Sequence, residues 1–211
     1  MDLRAKKILV TRAVSQNVRL VELLRAKGAT PVIYPCIEIL PQSFKIPDKD
    51  YDCLVLTSRN AAKAIEPYLR PQWQIKTVGS ETSSKDLADF FATQRPLRIL
   101  LPQGNLADDS LKKALEQNGH TVTKIIVYET HPAKPQFDLE SQLPLIDAIT
   151  FTSPSCVHHF PKELEFQGPV HCLGRSTYEA ALERGFGRVY CAQQNRLEDL
   201  IQSLESAIQN A

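Results

Sequence analysis

Apolar residues recur along the chain in two rhythms. Nine short runs, mostly β-branched or aliphatic, read as strands: Lys7–Thr11, Pro31–Tyr34, Cys53–Thr57, Ile75–Gly79, Arg98–Pro102, Val122–Tyr128, Ile146–Thr152, Val170–Gly174 and Arg188–Cys191. Between them the apolar positions fall three and four apart, the spacing of one helix face. Ser15–Lys27 carries Val18, Val21 and Leu24 in this way and stops at Gly28, a residue suited to a helix C-terminus. Leu197–Gln209 repeats the pattern with Leu197, Leu200, Ile201, Leu204 and Ile208. Strands alternating with helices predict an α/β fold with parallel sheets flanked by helices.

The chain also matches itself. At an offset of 95, Thr57-Ser58 falls on Thr152-Ser153, Val78-Gly79 on Leu173-Gly174, and Thr82 on Thr177, with no gap. A second correspondence joins residues 21–35 to residues 111–129. Each is a helix ending at glycine (Gly28, Gly119), then a β-branched strand reaching tyrosine (Tyr34, Tyr128). Two such pairs indicate a duplicated domain. Their order along the chain predicts that residues 38–128 form a domain inserted into one built from 1–35 plus 131–211. The linkers fall near 36–37 and 129–130, and the two crossings, 34-YPCIEILP-41 and 128-YETHPAKP-135, are Pro-bearing and strand-like. They are expected to run side by side.

Composition narrows the function classes. The 211 residues are 43% hydrophobic and 23% charged, an ordinary globular balance, and the formal net charge of +1 lacks the basic excess of a nucleic-acid-binding domain. Five cysteines, odd in number and scattered, predict free thiols of a reducing compartment rather than a disulfide frame or zinc site. The N-terminal apolar run, Ile8-Leu9-Val10, is too short for a signal-peptide core, and no window approaches the roughly 18 apolar residues of a membrane span. A cytoplasmic protein with no membrane or nucleic-acid partner is expected. His158-His159 has no third ligand at useful spacing, so no metal site is expected.

No GxGxxG, Walker, HExxH or GxSxG motif is present. What recurs is the start of a helix at the carboxyl end of a strand. Ser153-Pro154 reads as an N-cap followed by proline, and Ser176-Thr177-Tyr178-Glu179 has the spacing of a capping box. Asn60, Ser80 or Ser83, and Asn105 stand in similar places, while Gly79, Gly104 and Gly174 allow close backbone approach. Any α/β protein must cap its helices, and that alone accounts for one such hinge. Five on the strand-end edge, where open α/β sheets bind ligands, predict a grip for anions.

The segments 8-ILVTR-12, 53-CLVLTSRNA-61, 77-TVGSET-82, 101-LPQGNLADDSLKKALEQNGH-120, 126-IVYET-130, 150-TFTSPS-155 and 172-CLGRSTYEA-180 occur in an order that resembles the uroporphyrinogen-III synthase family over the whole chain. The resemblance implies two doubly wound, flavodoxin- or Rossmann-like parallel-sheet domains joined by a two-strand β ladder, a site in the cleft between them, and no cofactor. The implied substrate is hydroxymethylbilane, a linear tetrapyrrole with eight carboxylates. The implied reaction is closure with inversion of the terminal ring and loss of water, a hydro-lyase activity. By the same resemblance Ser58, Thr82, Ser153, Ser176 and Thr177 are carboxylate-binding hydroxyls, and Thr11, Arg12, Asn60, Ser80, Ser155 and Gly174 line the site. Gly104-Asn105 supplies backbone donors, and Arg175 joins Arg12 as a partner for propionates. Tyr128 is the candidate for direct chemistry at the departing hydroxyl; the alternative is a strand-end tyrosine packed at the domain junction. Nothing in the sequence demands an oligomer, so a monomer is expected, with transient contact to the preceding pathway enzyme. Two departures stand out. The segment from Gly79 to Ile99 has room for one helix where family members have helix, strand and helix, and Gln103 stands where members often have arginine. The rival class is a non-catalytic two-domain protein that binds an anionic small molecule.

Overall fold

The runs KILV, CLVL and AITF become central strands because almost every side chain in them is buried, which only a sheet covered on both faces provides. The computed structural model describes residues 3–77 and 84–209. In chain order its first half contains β1 (Lys7–Val10), α1 (Val18–Ala26), β2 (Thr30–Ile33), β3 (Ile37–Pro41), β4 (Cys53–Leu56), α2 (Arg59–Ile65), β5 (Gln74–Thr77) and α3 (Ser84–Ala92). There follow β6 (Arg98–Gly104), α4 (Ser110–Gln117), β7 (Thr121–Pro132), α5 (Leu139–Gln142), β8 (Ala148–Phe151), α6 (Pro154–His158), β9 (Val170–Cys172), α7 (Arg175–Glu183), β10 (Val189–Cys191) and α8 (Leu197–Gln209). No helix among the described residues is long and apolar enough to cross a membrane.

The chain divides into two units, Met1–Glu38 with His131–Ala211, and Ile39–Thr130. In the first, a five-stranded sheet has the order β10-β9-β8-β1-β2 with every neighbour parallel. Read from β2 this is the 2-1-3-4-5 order of flavodoxin-like sheets. Its core joins Leu3, Ile8, Val10, Leu20 and Leu24 to Leu200, Ile201 and Leu204 of α8. In the second unit the order is β3-β7-β6-β4-β5, with β4–β5, β4–β6 and β6–β7 parallel. Here the period-two alternation of strands sends Cys53, Val55, Ile99 and Leu101 to a cluster with Leu87 and Phe91 of α3 and Leu111 and Leu115 of α4. Leu54, Leu56 and Leu100 go to the other face, against Ala61 and Ile65 of α2 and Trp73.

The two sheets share a neighbour order. Strands β9-β8-β1-β2 of the first correspond to β5-β4-β6-β7 of the second, in agreement with both self-matches in the sequence. The match fails where α7 and β10 stand in the first unit. Between β5 and β6 the described residues hold only α3, which packs on α4 as α8 packs on α1. Duplication also repeats the glycine turns: Gly28 and Gly119 have φ of 79° and 86°. In each, the next residue's N–H reaches back over the helix end, Ala29 to Leu24 C=O at 3.0 Å and His120 to Leu115 C=O at 3.2 Å, the Schellman arrangement. A third copy, unmatched in the self-comparison, closes α7 at Gly185.

Several boundaries differ from the sequence reading. The helix expected from Ser15 begins with a tight turn, Val14–Gln16, and α1 starts after Asn17. Asn17 is buried and its amide donates to Arg12 C=O, which breaks the helix register there. Strands β6 and β7 run on to Gly104 and Pro132. The first crossing is itself a strand, β3, so the far half of β7 has a partner. Gln42 N–H bonds Val127 C=O, and Ala133 N–H bonds Cys36 C=O. The divisions at 38/39 and 130/131 fall within β3 and β7. All five cysteines are free.

Candidate functional site

In a parallel sheet every strand delivers its following residue to the same edge. In the first unit this brings Thr11-Arg12, Thr152-Ser153 and Leu173-Gly174 out beside one another, after β1, β8 and β9. Thr11 is among the residues that the resemblance assigns to the site. It is fully buried, and its hydroxyl donates to Thr150 C=O at 2.7 Å, while Thr150 donates to Leu9 C=O at 2.9 Å. The two threonines sew β1 to β8. Arg12 is half-buried, with its Nε on Gln16 Oε1 at 2.9 Å.

Ser58 and Ser153, the two doubled hinges, adopt one backbone conformation: φ −151°, ψ 153° and φ −157°, ψ 155°. Their hydroxyls behave differently. Ser58 caps α2 by accepting from Ala61 N–H at 3.0 Å. Ser153 makes no cap bond; its Oγ lies 2.8 Å from Ser155 Oγ and 3.2 Å from Cys156 Sγ, and Ser153 and Ser155 both stay half-buried. Burial pushes the Cys156 thiol up, against the lowering effect of its bonds with Ser153 and Thr11.

The capping box expected at Ser176–Glu179 does not form. The N-cap of α7 is Gly174, which has no side chain to offer, and Glu179 instead pairs with Arg175 at 2.7 Å. Arg175 also lies against the Tyr178 ring, 5.4 Å from its centroid. Ser176 is exposed and Thr177 is buried at 2% exposure on the inner face of the helix. The first-turn N–H groups of α7 are therefore left without a side-chain cap, at the positive end of a nine-residue helix.

In the second unit α2 and α4 begin with acceptors of their own. Asn60 is the second residue of α2, not its cap. Ser80 and Thr82 lie outside the described residues. Asn105 does not begin a helix: α4 starts at Ser110, whose N–H is taken by Asp108 Oδ1 at 2.8 Å. Lys124 fills the same turn, with Nζ 2.7 Å from Ala107 C=O, 3.2 Å from Asp108 C=O and 2.7 Å from Asp109 Oδ1. Asp108 and Asp109 thus supply this helix start with carboxylates of its own, Asp109 paired with Lys124. The sequence reading missed Lys124, whose one signal is a lone lysine inside the run Val122–Val127. Gln103 is buried, and its Oε1 has no hydrogen-bond partner among the described residues.

Tyr128 is half-buried at the same strand-end edge of its own sheet, opposite Gly104 on β6. A methyl group added at Gly104 would sit 2.5 Å from the ring Cζ and 2.8 Å from the phenol oxygen, so the ring lies directly over the Gly104 Cα. Tyr34, its counterpart in the self-match, is buried edge-on against Phe137 with centroids 5.3 Å apart.

The family model described as Uroporphyrinogen-III synthase HemD matches residues 18–78 and 72–202. A porphyrin biosynthesis protein HemD of Ruminiclostridium josui is 27% identical over 94% of this chain, which spans 48% of that relative's length. A uroporphyrinogen-III synthase of Synechococcus elongatus is 28% identical over 74% of this chain and 73% of its own. Two solved structures share the fold. A mutant uroporphyrinogen III synthase from the extremely thermophilic bacterium Thermus thermophilus has a TM-score of 0.67 at 17% identity, over 98% of this chain and 100% of its own. A uroporphyrinogen-III synthetase from Helicobacter pylori has a TM-score of 0.66 at 19% identity, over the same shares. The duplicated sheet order, the family match and the shared fold agree: the chain belongs to the uroporphyrinogen-III synthase family.

Proposed function

We propose that this protein closes hydroxymethylbilane to uroporphyrinogen III as a hydro-lyase, with Tyr128 assisting departure of the hydroxyl as water. The observation that carries the reading within the family is the start of α7. Glycine at its N-cap leaves the first-turn N–H groups without a side-chain cap on the strand-end edge, with Ser176 in that turn and the Ser153–Ser155 hydroxyl pair after the neighbouring strand. Uncapped N–H groups, the helix dipole and hydroxyls hold carboxylates without a large basic field, which suits a chain of net charge +1 and a substrate with many carboxylates.

Loss of the terminal hydroxyl leaves a cationic azafulvene end. Attack by the substituted carbon of the last ring gives a spiro centre, whose fragmentation and reclosure invert that ring. The linear substrate also closes unaided without inversion, so the protein's task is to hold one folded conformation and keep water out. A phenol at the hydroxyl serves this by donating a hydrogen bond or proton as the C–O bond breaks.

The test supplies enzymically generated hydroxymethylbilane, oxidises the product and measures the ratio of type III to type I isomer. Predominantly type III is expected. Type I alone sinks the reading and leaves a binding protein.

A further inference from the structure

We propose that Asn105 and Lys124 are positioning residues, which together fix the Gly104–Asp109 loop as the floor on which the Tyr128 phenol is set. The proposal rests on the reading of Tyr128 above and adds the groups that orient its ring. Between Gln103 and Gly104 the pairing of β6 with β7 slips, from Gln103 opposite Ile126 to Gly104 opposite Tyr128. Irregularities of this kind re-aim a side chain at the end of a ladder. Here the slip brings the Tyr128 ring over a residue with no side chain, and the ring occupies the space where any Cβ would stand.

That placement requires the backbone at Gly104 to stay still beyond the end of the strand. Asn105 supplies the first anchor. Its N–H donates to Tyr128 C=O at 3.2 Å, its Oδ1 accepts from Thr130 N–H at 2.8 Å, and its Nδ2 donates to Thr130 C=O at 3.3 Å. The side chain thus continues the ladder by two bonds past the last strand residue. Lys124 supplies the second anchor from β7, its ammonium donating to Ala107 C=O, Asp108 C=O and Asp109 Oδ1. At 16% side-chain exposure these bonds are partly shielded from water. One anchor grips each end of the loop, and both tie it to the strand that carries Tyr128. The donors of Asn105 that the resemblance assigned to substrate are engaged inside this clasp.

The test incorporates 3-fluorotyrosine at the six tyrosines and follows the fluorine resonance of Tyr128, identified by its loss in Tyr128→Phe. Lys124→Met and Asn105→Ala are expected to shift and broaden that resonance while the others hold their positions. Asn105→Asp, which keeps the acceptor for Thr130 N–H, and Lys124→Arg are expected to recover part of the wild-type signal. In the isomer assay kcat is expected to fall about tenfold with KM nearly unchanged, as a misplaced group rather than a lost binding contact dictates. A Tyr128 resonance unmoved in both Lys124→Met and Asn105→Ala, with only a lower melting temperature, overturns the proposal. Full turnover in Tyr128→Phe is a separate result: it overturns the chemical reading of Tyr128, while the resonance still decides the positioning.

Discussion

His171 Nδ1 lies 2.8 Å from Ser203 Oγ, so the third strand-end unit of the first sheet, β9, is bonded through its central residue to α8. The same imidazole stacks on Tyr190, with centroids 5.0 Å apart, and its Nε2 is buried with no hydrogen-bond partner among the described residues. Burial, and secondarily the charge of Arg188, depress its pKa from 6.5 to about 4. The unfolded chain therefore takes up a proton that the folded chain refuses. Stability is complete above pH 6.5, declines as pH falls from there to 4, and by pH 5 has lost about 2 kcal/mol from this group. Urea midpoints at pH 7.5 and 5.0 check this: the wild type is expected to lose more between the two than His171→Gln, and equal losses refute it.

Ser58 and Ser153 share a backbone conformation but not a role, and alanine separates them. Ser58→Ala removes a cap bond and is expected to cost the second unit about 1 kcal/mol, read as a lower urea midpoint. Ser153→Ala removes no cap bond and is expected to cost less stability while raising KM for the tetrapyrrole. Equal stability losses would show that the two hinges are energetically alike.

Gly185 ends α7 with φ 94°, and a methyl group there meets nothing within 4 Å. Gly185→Ala therefore isolates the cost of forcing an L-residue into the left-handed region, about 1–2 kcal/mol. Gly185→Asn, which tolerates that region better, is expected to recover part of the loss in thermal unfolding. The same order is expected at Gly119, where the surroundings are equally open.

Tyr128→Phe keeps the ring that packs over Gly104 and removes only the hydroxyl. Turnover to the type III isomer is expected to fall about 10²-fold or more, on the order of a lost proton donor, with little change in the melting temperature. Unchanged turnover reduces Tyr128 to a packing residue.

Much of the fold was legible in the sequence because the signals are local. A glycine after a helical stripe needs only its own missing Cβ to end the helix, and this holds at Gly28 and Gly119 alike. The buried runs at β1, β4 and β8 reveal themselves by composition, and the residues that match one another stand on strands at corresponding places in the two sheets. What the sequence by itself determined was therefore the α/β alternation, the duplication and the positions of the hinges. Tertiary structure alone decided which polar groups remain available to a ligand. Thr11 looks like a site hydroxyl until the carbonyl of Thr150, 139 residues away, accepts its hydrogen bond. Asn105 looks like a helix start until Thr130 occupies its amide, and Ser176 looks like a cap until Gly174 takes the position. A hydroxyl or amide bonds whichever partner the fold brings within about 3 Å, and those partners come from distant parts of the chain.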